Sequence, residues 1–295
     1  MKVYFLLVLC VLFWSANFVI GRFVAGAIEP IELAFFRWFG VFLVTLPFFG
    51  LHVKRLWKTL RAHFWILVLL AGLGIACFNT LLYIGLQYTS ATNALLINSS
   101  IPILILVFSF VILKKNITPF QMFGIMLSTV GVVFLVLKGD VRHLLALEFN
   151  RGDFWVIGSS VCWALYSVLV KFRPQEISSF EFFMIIVFLG VLMLLPFYLA
   201  QGYTLVREWD ILKRYYGAIV YVVVFTSILS YYMWHKGIAH LGADRTGQFT
   251  HLMPVFGSFL AYIFLDERLE WYHLGGIILI GIGIYLSLFI KKVSR

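Results

Sequence analysis

Residues 237–267 read GIAHLGADRTGQFTHLMPVFGSFLAYIFLDE, and residues 85–115 read GLQYTSATNALLINSSIPILILVFSFVILKK. A shift of 152 residues lays Gly85 on Gly237, Ala91 on Ala243, Pro102 on Pro254 and Leu113 on Leu265. The register continues through Gly124 onto Gly276 and Gly131 onto Gly283. Both stretches share one grammar: the end of a helix, a short turn of small residues, then an apolar helix interrupted by proline. Interrupted apolar helices at corresponding positions in two halves of a chain point to the binding site of a carrier.

Outside that pair the chain is just as apolar. Of its 295 residues 62% are hydrophobic and 12% charged, too little polar material to clothe a water-soluble surface. Apolar runs of about 20 residues recur, each long enough to cross roughly 30 Å of hydrocarbon as helix. The net charge of +10 lies mostly in short loops, where basic residues set topology, so it is not a nucleic-acid footprint. Cys10, Cys77 and Cys162 sit inside apolar runs, at no spacing that suggests a disulfide framework or a zinc site. The basic, apolar start MKVYFLLVLCVLFWSANFVIG lacks an A-x-A cleavage site and outruns a signal peptide, and it reads as a retained first helix.

This predicts an all-α polytopic membrane protein with ten transmembrane helices, at about 3–23, 31–51, 64–86, 92–113, 119–138, 152–172, 179–201, 215–237, 243–265 and 271–290. With both termini cytoplasmic, fourteen lysines and arginines fall inside and eight outside, the asymmetry expected of cytoplasmic loops. The 52–63 connection, HVKRLWKTLRAH, contributes most and reads as an interfacial basic segment anchored by Trp57. The repeat extends to the first spans at an offset of 149, which lays Trp14 on Trp163, Arg22 on Lys171, Glu32 on Glu181 and Pro47 on Pro196. Two units result, 1–138 and 150–295, with five spans each. An odd number of spans sends the second unit into the membrane the opposite way up, so the two are inverted repeats. A site between such halves opens to either side when they exchange conformations, which is alternating access.

Several segments in order carry a family resemblance: LFWSANFVIGR at 12–22, Glu29-Pro30 followed by FFRWFG at 35–40, Pro102 and Pro254, and FLDERLEWYHLGGIILIGIGIYL at 264–286. Together they make the whole chain resemble the EamA-type exporters of the drug/metabolite transporter superfamily. The resemblance implies a carrier that moves small metabolites, often amino acids, outward across the bacterial inner membrane. It gives Asp266 and Glu267 a structural role in a turn. One departure is plain: the first repeat has Lys114 and Lys115 where the second has Asp266 and Glu267.

The repeat also sorts residues. Positions alike in both halves serve the scaffold: Trp14/Trp163, Pro47/Pro196, Pro102/Pro254 and the paired glycines. Polar positions that differ suit a substrate, which does not share the pseudo-symmetry: Arg37 against Ile186, His251 against Ser99, His235 against Tyr83, Asn79 against Tyr231, Asn17 against Tyr166. Arg37 lies about 9 Å from the outer end of span two. Either it snorkels outward or pairs with Glu29 or Glu32, or it faces a cavity and attracts a carboxylate. His251 is either a hydrogen-bonded packing residue or one that contacts substrate or titrates. Proline frees the carbonyl four residues back, here Asn98 and Thr250, and a water-lined cavity would satisfy it. His235 and Lys236 read as interface anchors.

The candidate cavity is thus lined by Trp14, Asn17, Arg37, Asn79, Tyr83, Asn98, Ser99, Trp163, Tyr166, Tyr231, Thr250 and His251. The implied partners are a small-molecule substrate and the lipid bilayer, with a homodimer left open and no nucleic acid. A nucleotide-sugar or cationic-drug transporter is the alternative, although a cation site wants an intramembrane carboxylate and every Asp and Glu falls at or beyond a span end. No HExxH, paired aspartates or serine–histidine set stands at the spacing an intramembrane enzyme needs. No catalytic residue, cofactor or metal is called for.

Overall fold

The computed structural model describes residues 2–24, 26–140, 142, 149–264 and 270–289, and these are helical with no strands. Asp266 and Glu267 lie outside the described residues. The helices are α1 (Lys2–Val24), α2 (Pro30–Ala62), α3 (Phe64–Tyr88), α4 (Ala91–Asn98), α5 (Ile101–Leu113), α6 (Pro119–Val136), α7 (Arg151–Leu169), α8 (Ser179–Ala200), α9 (Leu205–Leu241), α10 (Ala243–Gly247), α11 (Met253–Phe264) and α12 (Trp271–Phe289). Nine helical stretches among the described residues are long and apolar enough to cross a membrane, α4 and α5 together making one of them. The expected span at 243–265 is instead three pieces: α10, a 3-10 turn over Gln248–Leu252, and α11.

Both prolines of the paired stretches start helices rather than kink them. Pro102 is the second residue of α5 and Pro254 the second of α11. Proline has no N–H to donate, and the first turn of a helix leaves its donors unpaired in any case. The chain therefore breaks just upstream, at Ser99–Ser100 and at Gln248–Leu252. The carbonyl of Thr250 is taken by the Met253 N–H in the tightened turn. It needs no water, contrary to the expectation from sequence.

The polar connections are helical as well. Residues 52–62, expected as an interfacial loop, continue α2, because Leu56, Thr59 and Leu60 form a buried stripe while Trp57 stays exposed. Residues 205–214 likewise open α9, which bends at Tyr215 (φ −115°, ψ 18°) before crossing.

Two turns widen to i→i−5 hydrogen bonding: Gly72–Cys77 in α3 and Val224–Leu229 in α9. They coincide under the 152-residue shift. Such π turns leave a carbonyl without its usual donor and recur at functional sites. Packing follows the repeat too. α3 lies on α7 and its counterpart α9 on α1; α5 lies on α7 and α11 on α1; α2 meets α8, and α6 runs the length of α12. The last pair is antiparallel. A Cβ added at Gly124 would meet the Gly283 carbonyl at 2.5 Å, and one at Gly276 the Gly131 carbonyl at 3.1 Å. Glycine is what lets the two backbones come this close.

Candidate functional site between the two halves

All twelve candidate residues are buried, and they form two clusters. The first surrounds Arg37, 1% exposed. Its Nε donates to Ser227 Oγ (2.7 Å), one terminal nitrogen to Asn79 Oδ1 (2.9 Å), Tyr83 Oη (3.1 Å) and Asn17 Oδ1 (3.5 Å), and the other to the Thr226 carbonyl (3.0 Å). Every one of these partners is neutral. Arg37 neither snorkels nor pairs with Glu32, whose carboxylate is held by Arg207 at 2.7 and 3.0 Å. A guanidinium removed from water with neutral partners alone has its donors met and its charge uncompensated.

The π turns explain why these groups converge. Thr226 and Gly74 are equivalent positions, and each presents a carbonyl to the other half. Thr226 O accepts from Arg37 and from Trp14 Nε1 (3.0 Å); Gly74 O accepts from the Tyr231 hydroxyl. Within α9 the hydroxyls of Ser227 and Ser230 donate to carbonyls five residues back, at 2.7 Å each. Beside this polar knot lies an aromatic one. Trp14 meets its equivalent Trp163 edge-on at 5.1 Å and Trp234 at 5.0 Å, and Trp163 meets Tyr166 and Tyr231 at 5.3 and 5.5 Å. Tyr166 Oη lies 2.6 Å from His235 Nε2. His235, expected as an interface anchor, is 3% exposed: its ring is enclosed by Tyr166, Phe182 and Phe183.

The second cluster joins the two helix breaks. His251 and Ser99 are equivalent positions, and the ring Nε2 donates to the Ser99 carbonyl at 3.0 Å while Nδ1 faces Ser128 Oγ at 2.6 Å. A carbonyl only accepts, so a neutral ring keeps its proton on Nε2 and takes one hydrogen bond from Ser128. Asn98 Oδ1 accepts from Ser160 Oγ at 2.9 Å, and Thr250 Oγ1 donates to the Gly247 carbonyl at 2.8 Å. The space between Leu95, Asn98, Ser99, Val132, Thr250, Met253 and Pro254 is about 10 Å³, no larger than a single water.

Larger openings lie at the ends of the bundle. One of about 330 Å³ is lined by Glu29, Ile84, Gln87, Tyr88, Gln201 and Tyr203. Ile84 follows Tyr83 of the Arg37 cluster. Another, about 410 Å³, is lined by Lys2, Phe5, Leu6, Lys236 and His240. Burial and the neighbouring Glu32 carboxylate push the Tyr203 phenol up to about 12. Sequence reasoning missed Thr226, Ser227 and Trp234. The signal was available for two of them: Thr226 and Ser227 stand where the first half has Gly74 and Ile75, the same kind of difference that singled out Arg37.

The EamA-like transporter family matches residues 1–137 and 150–289. The chain belongs to the EamA-like transporter family. The match breaks between the two repeats read from the sequence. An uncharacterized transporter of Bacillus subtilis, YyaM, is 28% identical over all of this chain and 96% of its own length. An uncharacterized transporter of Archaeoglobus fulgidus is 27% identical over 97% of each chain. A solved structure titled only as a crystal structure of a protein shares the fold, with a TM-score of 0.73 over 97% of both chains at 16% identity. This EamA-like chain is therefore a multi-pass membrane protein with a transporter's ancestry rather than an enzyme's. Arg37 draws its partners from both halves, and His251 meets Ser99 across them.

Proposed function

We propose that this chain is a secondary transporter that exports small polar metabolites carrying a carboxylate, amino acids among them, across the bacterial inner membrane. It works by alternating access of two inverted five-span repeats, 1–138 and 150–295, with ten spans and both termini cytoplasmic. The observation that carries the reading is Arg37, a buried cation with neutral partners from both halves. An incoming carboxylate supplies the missing charge and takes the guanidinium in the bidentate geometry that suits it. Inversion is supported by α6 and α12, whose equivalent glycines cross antiparallel, and by the coincident π turns.

Substrate selection follows from the same knot. Arg37 is the one buried lysine or arginine among the described residues, which suits a single carboxylate better than a nucleotide sugar's diphosphate. A cationic drug would find a like charge there. The test is counterflow and efflux in proteoliposomes with a panel of amino acids and other small acids. We expect flux for carboxylates and none for their amides. Absence of flux for every member of the panel under any gradient overturns the reading.

A further inference from the structure

Among the ion pairs that join the two halves, two are copies of one another. Glu32 and Glu181 are equivalent at the 149-residue offset, and Arg55 and Arg207 at the 152-residue offset. Each acid is the third residue of its helix and closes a capping box. Glu32 accepts from the Glu29 N–H at 3.0 Å, and Glu181 from the Ser178 N–H at 2.7 Å. Capping fixes the carboxylate in place and leaves it facing an arginine of the opposite half. Arg207 at the start of α9 reaches Glu32, and Arg55 near the end of α2 reaches Glu181.

The copies are not in the same state. Glu32 is fully buried and gripped through two hydrogen bonds, at 2.7 and 3.0 Å, by a guanidinium that also stands 4.4 Å over the Tyr203 ring. Arg55 is 56% exposed and approaches Glu181 only to 3.4 Å, its other terminal nitrogen turned to the Glu176 carbonyl. Glu181 Oε1 is buried without a hydrogen bond. One acceptor is thus left waiting for the fork that its counterpart already holds. The difference is built in: Glu208, which shares Arg207 at 3.0 Å, stands where the first half has Leu56.

Resting on the alternating-access reading above, we propose that Arg207–Glu32 and Arg55–Glu181 are paired latches on opposite membrane faces, one fastened while the other is released. The structure holds the state with the Glu32 latch fastened. In the opposite state the guanidinium of Arg55 closes on both oxygens of Glu181, and Arg207 lets Glu32 go. A group that binds one state better than the other shifts the population between them. Removing a latch therefore drives the protein toward the state in which that latch is already open.

Gln87 and Ala239 are equivalent, exposed positions beside the two end cavities. In full-length protein with Cys10, Cys77 and Cys162 replaced by Ala, a single Gln87→Cys or Ala239→Cys reports access by its rate of maleimide labelling in detergent. Arg207→Gln is expected to raise labelling at position 87 at least threefold and lower it at 239. Arg55→Gln is expected to do the reverse, and the charge swap Glu32→Arg with Arg207→Glu to restore the wild-type ratio. Shifts in the same direction for both variants, or none for either, overturn the latches. Should Arg207→Gln fail to fold, Arg207→Lys keeps the charge, loses the fork and carries the same test. Labelling needs no substrate, so a failed flux screen removes the transporter reading without deciding the latches. Normal wild-type flux with unmoved labelling removes the latches alone.

Discussion

Arg37→Met separates what the buried arginine does for the fold from what it does for a ligand. Methionine keeps an unbranched apolar stem of similar reach and deletes the charge. Most of the groups it abandons keep another partner. Thr226 O retains Trp14 Nε1 at 3.0 Å, Ser227 Oγ still donates to the Val222 carbonyl at 2.7 Å, and Tyr83 Oη still donates to Asn17 at 3.3 Å. Asn79 Oδ1 is left bare. One buried acceptor without a donor costs about 1–3 kcal/mol, and relief from desolvating a guanidinium offsets that with several kcal/mol of opposite sign. The variant should therefore fold, with a melting transition near or above that of wild type by circular dichroism in detergent. Transport of carboxylates should weaken. A charge-assisted hydrogen bond to a carboxylate is worth about 1.5–3 kcal/mol net, or about 10- to 150-fold in affinity, read as a rise in KM in proteoliposome flux. A variant that transports carboxylates with an unchanged KM refutes Arg37 as the anion's partner. One that melts far below wild type shows instead that the guanidinium holds the π turn of α9 in place.

The α6–α12 contact gives a sharper steric expectation: in Gly124→Ala the new methyl would sit 2.5 Å from the Gly283 carbonyl and 2.6 Å from the Ser287 nitrogen, both backbone. The helices must part, at about 1–3 kcal/mol, whereas Gly50→Ala, with nothing within 4 Å, should leave thermal unfolding unmoved. Thr246→Val removes a fully buried hydroxyl that has no hydrogen-bond partner; it should be neutral or raise stability by up to about 1 kcal/mol, and a fall in melting temperature would mean that the hydroxyl is satisfied. Impermeant labels in intact cells should reach cysteines placed in 202–214 and not those in 52–63, since the proposed inversion puts the two segments on opposite faces. Equal labelling from one side would end the inverted arrangement.

Much of the scaffold was readable in advance because its signals are local. Most of the span positions and the glycine pairs follow from apolar run length and small residues at a close crossing, whereas the prolines, read as interruptions within a span, begin helices instead. Where the reading failed, a local rule met a long-range partner. His235 looks like an interface residue by its position near the end of a helix, yet Tyr166, Phe182 and Phe183 enclose it. Residues 52–62 look like a loop by charge, yet Leu56 and Leu60 bury one side of a continuing helix. The freed carbonyls were sought at the prolines, whereas the carbonyls that matter belong to the π turns, which no single residue announces.

What the amino-acid sequence determined by itself is that this chain lives in a bilayer, crosses it many times and is built twice over. Hydrophobicity adds up residue by residue, and a repeat is visible by shifting the string against itself. What the tertiary structure decided is which polar groups meet: Arg37 with Thr226 and Ser227, His251 with Ser99, Arg207 with Glu32. A buried donor is stable only where an acceptor stands within about 3 Å at the right angle. In these pairs the acceptor lies far away along the chain, so its identity is a fact of three dimensions and not of the sequence.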